Sequence, residues 1–492
     1  MAPEDQKLSK VGRRGFLQRA AVVTLGSLAA RGVYEVLDEV AGGPPRAEAA
    51  VVRRLQEQYL VERIEVILNN GVTVAVPPLL NDVFTAKLKS TINWTPSALK
   101  NAKARVERAL AAVEKPYPAT AAGLTMVIGW GLPFFRTFTP NLMSTHLPVD
   151  KGLPDGQYAV LDAIRFPSDP ADVVLEDNHV MFKFRSDSST IVKGAEADLF
   201  DNPNSGAYIG DLFDLTSKRI GFLGRGFGTR SIGKKLALEA GVAGADQIPE
   251  DAQLMMGFTS TQTQALAADN LPSFETLPGL TNQWPSGYFA AGCAMHLSHL
   301  YLDIDLWYGS FSYADRVKRM FSPRASVPAN QSTVTIPNGP EQLSTMADVL
   351  QDAESGLLGH NALLQQAARL AADVKDNYGR LRPKGSSVPL REDFNTLDDP
   401  FAWAPGGVGP TNKPGMHFVA FLPATRLFHR ARMAMDGVLP APGPNLREQY
   451  PDKFGTTDAN NGINAMMRAS HRQNYLIPPR RNRSFPLVEL LA

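Results

Sequence analysis

The sequence predicts an α+β fold of two lobes, each built on an antiparallel sheet. Two observations carry this. Apolar residues recur with period two in some segments and at helical spacing in others. The order strand, helices, strand, helix then occurs once in each half of the chain. The 492 residues suffice for one large domain or two packed ones. The division expected is a leader over 1–49, a first lobe with insertions over 50–285, and a second lobe with a tail over 286–492.

The leader opens basic and places Arg13 and Arg14 before Phe16 and Leu17, ahead of an apolar run over 20–30. This arrangement reads as a twin-arginine export signal, a route that carries proteins already folded. The run is far shorter than the roughly 20 apolar residues of a membrane span. Cleavage is expected after Ala49, in the small-residue setting Ala47-Glu48-Ala49, with Ser27-Leu28-Ala29 the weaker site. Export puts the protein in the periplasm, the cell envelope or the medium.

In the first lobe, residues 97–115 have helical spacing, with Leu99, Ala102, Val106, Leu110 and Val113 on one side. Residues 124–131 read as a buried strand ended by glycines, and 179–184 as a second strand alternating Val180, Phe182 and Phe184 against Met181 and Lys183. Between them, 162–165 and 173–175 are expected to hold a short strand and a helix start. In the second lobe, 296–308 alternates throughout, with Leu300, Leu302, Ile304 and Leu306 on one face, and predicts one strand. Helices are expected over 313–321, over 342–374 with a break at Gly356 to Gly359, and over 425–435; residues 417–422 are a strand. The Pro/Gly-rich stretches 327–340 and 405–415 read as long surface loops, and the glycines of 221–228 as a flexible loop without the setting of a dinucleotide fingerprint. The tail over 470–483, with Arg472, Arg480, Arg481 and Arg483, is expected as an extended arm over the body.

Charge excludes several function classes. Fifty Lys+Arg stand against 49 Asp+Glu, and the net charge is +1. A nucleic-acid binder shows a basic excess or stripe, which is absent here. Cys293 is the single cysteine, so no intramolecular disulfide and no thiolate cluster can form. A near-neutral chain is free to self-associate, so a homo-oligomer is compatible with the sequence.

Five segments together resemble the dye-decolourising (DyP-type) haem peroxidase superfamily: Leu124 to Phe135, Asp172 to Phe182, Met256-Gly257-Phe258, the segment from His296 to Phe321, and His417 to Phe428. The resemblance covers about residues 120–435 and rests on order and spacing. It implies two ferredoxin-like lobes with a haem b between them, an axial histidine, a distal aspartate and a distal arginine. By order, His360 is similar to the iron ligand; a capping or surface role at a helix start is the alternative. His296 and His299 are competing ligands whose strand setting suits a core role. Arg391 is similar to the distal arginine, with an ion pair to Glu392 or Asp393 as its alternative and Arg380 and Arg382 as rivals. Ser260 stands where the family carries its aspartate and Thr261 where it carries a glycine, and a serine cannot act as a carboxylate base. Asp269 is a possible substitute, and Asp393 and Asn395 add polar groups beside Arg391. The resemblance thus implies an exported, haem-dependent oxidoreductase that uses hydrogen peroxide on an unidentified reducing substrate. Ser260 leaves open the alternative of a catalytically inactive relative, binding or structural, at the cell envelope.

Overall fold

The computed structural model describes residues 54–69, 72–153, 156–224, 232–250, 252–258, 272–326, 343–397, 413–455 and 458–492. In the first lobe, strand β1 (Leu80–Leu88) leads through helix α1 (Pro96–Glu114) to β2 (Thr125–Trp130) and β3 (Val180–Ser186). Helix α2 (Ser189–Glu196) then leads to β4 (Phe213–Phe222). The strands lie in the order β4, β1, β3, β2, and all pairs are antiparallel. This is a ferredoxin-like lobe.

Local chemistry sets α1. The Thr95 side chain accepts a hydrogen bond from the Ala98 N–H, and Pro96 occupies the first turn, where its missing N–H costs nothing. Leu99, Ala102, Val106, Leu110 and Val113 are buried on the face turned to the sheet, as their spacing predicts.

The second lobe repeats the plan. Strand β5 (Cys293–Leu302) is followed by α3 (Ile304–Gly309), α4 (Tyr313–Met320), α5 (Met346–Ser355) and α6 (His360–Ala368). Short strands β6 (Leu390–Arg391) and β7 (Phe394–Thr396), then β8 (Gly415–Leu422), α7 (Thr425–Met435) and β9 (Met467–Ile477) complete it. Its order is β7, β8, β5, β9, the same ferredoxin-like order read from the opposite edge.

The lobes join edge to edge. Asn395 of β7 pairs with Phe222 of β4, and Leu476 of β9 pairs with Trp130 of β2, so the strands close into a barrel. Val83, Val127 and Met181 from the first lobe meet Met295, Leu297, Val419 and Phe421 from the second inside it. The outer faces carry helices: Phe84, Phe182 and Phe184 belong to the large core under α1 and α2, while Ala420 and Leu422 pack on Phe428 of α7.

Several expectations change. The strand predicted over 296–308 ends at Leu302, because Asp303 caps a helix there and accepts the Leu306 N–H at 2.9 Å. The helix predicted to reach 374 stops at Ala368. Residues 162–165 form neither strand nor helix, and Val174–Leu175 is a two-residue strand beside β9. The tail is no surface arm: its first part is β9, a full member of the barrel, and Arg472 and Arg483 are buried in ion pairs with Asp169 and with Glu107 and Glu114. Gly221 belongs to β4, where a Cβ would stand 1.8 Å from the Phe394 ring. The remainder of the proposed glycine loop from 225, the Pro/Gly-rich stretch over 327–340 and the part of the stretch over 405–415 up to 412 lie outside the described residues, while Gly415 opens β8. Among the described residues no helix is long and apolar enough to cross a membrane.

Candidate functional site

A cavity of about 280 Å³ lies between the outer face of the second sheet and helices α6 and α7. Alternation along β5 and β8 decides its floor. Ser298 and Leu300, with Met416, Phe418 and Ala420, face the cavity, while their neighbours Leu297, His417 and Val419 turn into the barrel. Leu364 of α6 and Leu427, Phe428 and Ala431 of α7 form the roof. Met256 and Phe258 close one side, and Phe258 is held edge-on against Phe321 at 5.3 Å. The walls are therefore mostly apolar, with polar groups confined to a few points, the usual composition of a small-molecule site.

His360 is the first residue of α6 and lines this cavity. Two glycines hold it there. A Cβ at Gly359 would come within 2.5 Å of the Phe321 carbonyl oxygen. Gly462, at φ +57°, would place a Cβ 3.1 Å from the His360 nitrogen. The Ala362 N–H donates to the Phe321 carbonyl at 2.9 Å and ties the first helical turn to the end of α4. The Nδ1 of His360 is buried without a hydrogen-bond partner. Burial, and then the charges of Arg391 and Arg432, push the imidazole down to about 3. It is neutral at ordinary pH, the form that offers a ring nitrogen to a metal.

Arg391 and Asp393 also line the cavity, from β6 and the residues leading to β7. Three cations border it. Arg432 pairs with Asp436, and Arg472 pairs with Asp169. Among the described residues, Arg391 has no carboxylate within ion-pair distance, and its Nε is buried without a partner. The ion pairs expected as its alternative role are not formed. Glu392 turns instead toward β3, where it meets Lys183 at 2.7 Å and Arg185 at 2.7 and 2.8 Å. Asp393 accepts the Val419 N–H at 3.2 Å. Burial raises its carboxyl to about 6, against the opposing pull of Arg391 and of that hydrogen bond.

The other candidates fall elsewhere. His296 faces α7, where it stacks on Phe428 at 3.5 Å and bonds Asn474 and Ser298 through its two ring nitrogens. Both nitrogens are used, so it is a packed core histidine. His299 is buried beside His417 and bonds Ser470. Arg382 pairs with Asp376 at 3.1 Å in a small hairpin, and neither it nor Arg380 borders the cavity. Asn395 is spent on the lobe junction: it donates to the Phe222 and Gln253 carbonyls and accepts the Met255 N–H. Ser260, Thr261 and Asp269 lie outside the described residues. Sequence order points to Met256, Phe258 and Phe428 as members of the matching segments, but not to Leu364 and Ala431, which line the cavity only because α6 and α7 pack over the sheet.

No curated protein matches the chain. Among solved structures, it is similar to DyPB from Rhodococcus jostii RHA1, at 13% identity over 83% of this chain and 94% of that one, with a TM-score of 0.46. It is also similar to a DyP-type peroxidase from Cellulomonas bogoriensis, at 15% identity over 86% and 95% with a TM-score of 0.48. The encapsulated DyP-type peroxidase from Mycobacterium smegmatis matches at 13% identity over 83% and 95%, with a TM-score of 0.45. Residues 87–479, most of the chain, match the model of a family of unknown function, DUF7405, and the chain belongs to that family.

Proposed function

We propose that the protein binds haem b in the cavity of the second lobe, with His360 as axial ligand, and that it uses hydrogen peroxide to oxidise a reducing substrate. One observation carries this reading: a neutral imidazole at the start of α6 and a guanidinium on β6 that makes no ion pair among the described residues border the same apolar cavity. The residues fit the group. The walls suit a flat apolar macrocycle, His360 offers a ring nitrogen, and Arg432 and Arg472 at the polar border suit its carboxylates. When bound, haem supplies the electrons for peroxide chemistry.

The chain's own residues do the rest. Leu364, Phe418 and Phe428 make the floor and roof of the cavity apolar. Arg391, which has no carboxylate within ion-pair distance among the described residues, presents positive charge to an anion forming there. The leader with Arg13 and Arg14 accords with export after the cofactor is in place. Ser260, at the position where a carboxylate is expected, favours a second reading: a haem-binding protein without efficient turnover.

The test is an absorption spectrum of protein loaded with haem. A Soret band is expected in the wild type and its loss in His360→Ala, with His296→Ala keeping it. Absence of the band in the wild type sinks the proposal. A band in the wild type without spectral change on adding peroxide selects the second reading. For export, mass spectrometry of the secreted chain should find an N-terminus at residue 50; a chain retained with residue 1 intact overturns that part.

A further inference from the structure

We infer that Asp393 is the proton-transfer group for bound hydrogen peroxide, taking on the task that Ser260 cannot perform. The inference rests on the haem reading above and adds to it a residue, a position and a direction of proton movement.

The geometry comes from the β6–β7 segment. In extended chain, residues two apart share a face. Arg391, Glu392 and Asp393 all border the cavity, but the Glu392 carboxylate is held by Lys183 and Arg185. A cation and a carboxylate thus border one chamber from one strand segment. Asp393 is fixed by the Val419 N–H of β8 at Oδ1. That bond uses one oxygen, and no ion pair consumes the carboxylate among the described residues. A carboxylate in this setting can accept a proton, and Arg391 beside it can support the anion produced.

The step is an acid–base exchange with no electron transfer. Hydrogen peroxide loses one proton to a carboxylate oxygen of Asp393, which gives the hydroperoxide anion and a neutral carboxylic acid. Charge is conserved, and Arg391 faces the anion. The charged groups around Asp393 are Arg391 and Glu392 on its own segment and Lys183 on β3. A carboxyl raised to about 6 is ionised above that pH and ready to accept.

Two measurements test this. In the first, haem-loaded protein is mixed with hydrogen peroxide and the rate of the Soret change is followed between about pH 4.5 and 8. The wild-type rate should fall as pH drops through about 6, where Asp393 takes up its proton. Asp393→Asn should slow the change by about 100-fold or more, the usual scale of general acid–base catalysis, and lose that pH dependence, and Asp393→Glu should recover part of the rate. In the second, the haem-free protein labelled with ¹³C-aspartate is titrated by infrared spectroscopy. Two aspartate carboxyls, Asp352 and Asp393, should titrate near 6, and the Asp393 contribution should be missing in Asp393→Asn. Equal rates in wild type and Asp393→Asn, with the Soret band present in both, overturn the role of Asp393 and leave the haem reading standing. No Soret band in the wild type overturns the haem reading and this role with it. A variant that lacks the band while the wild type shows it assigns Asp393 to the cavity's structure and counts against a proton role.

Discussion

Replacing Glu392 by alanine should destabilise the protein by about 3–5 kcal/mol, the cost of leaving buried charge without its counter-ion. Lys183 and Arg185 have fully buried side chains, and Glu392, at 10% exposure, is the carboxylate that meets both. Burial works to raise the Glu392 carboxyl, but Arg185 and Lys183 outweigh it and hold it below the ordinary range. Burial likewise pulls the Lys183 ammonium down to about 8, against the attraction of Glu392. Once Glu392 is gone, Lys183 sheds its proton more readily. A lysine held below its unfolded value of 10.5 releases protons on folding, so stability rises with pH. The deficit of Glu392→Ala should therefore shrink between pH 7 and 9. Because β3 belongs to one lobe and Glu392 to the other, the loss falls on the contact between lobes. Urea denaturation at both pH values measures this. A deficit under about 1 kcal/mol would show that the triad is no more than a surface-type pair.

Mild acid should unfold the protein, with uptake of several protons. Seven histidines are held below the ordinary value of 6.5, burial being the foremost cause in each. His360 falls to about 3, His429 and His471 to about 4, and His296, His299 and His417 lie well below 6.5. The unfolded chain binds protons at these groups as pH drops through 6.5, and the folded chain does not. Stability is fully present above 6.5 and drains away as pH falls toward the folded values. Each tenfold difference in proton affinity is worth about 1.4 kcal/mol, against a total of about 5–15 kcal/mol for a folded domain. Asp352 and Asp393, each raised to about 6, and Glu57 and Glu196, also raised, oppose this between pH 6 and 4. The three most buried histidines carry the balance. The urea midpoint should fall steadily from pH 7 to about 4.5; a flat or rising midpoint refutes the prediction.

What was readable in the sequence depended on whether a segment's two faces differ. Helix α7 was expected over 425–435 and spans Thr425–Met435. Strand β1 gave no such signal. It is buried on both faces, and its barrel side carries Asn81 and Thr85 in place of apolar residues, so no alternation appears. The same holds for Ser217 and Arg219 of β4. Strand β9 reads as a basic tail, since Arg472 is buried only through Asp169, a partner distant in sequence. Asp303 cut short a strand whose alternation ran on without interruption.

For the site, order along the chain was enough to single out His360 and Arg391 as residues to examine, and the structure places both on one cavity. By itself the sequence determined many of the local elements, the two-lobe repetition and a short set of chemically capable side chains. It could not rank Arg391, Glu392 and Asp393, which are consecutive and all charged. Extended chain turns neighbours to opposite faces, but only the closure of the two sheets into a barrel decides that one face is a packed interior and the other a chamber under α6 and α7. That closure pairs the Glu392 carboxylate with its two cations, while Arg391 and Asp393 border the same cavity without an ion pair among the described residues.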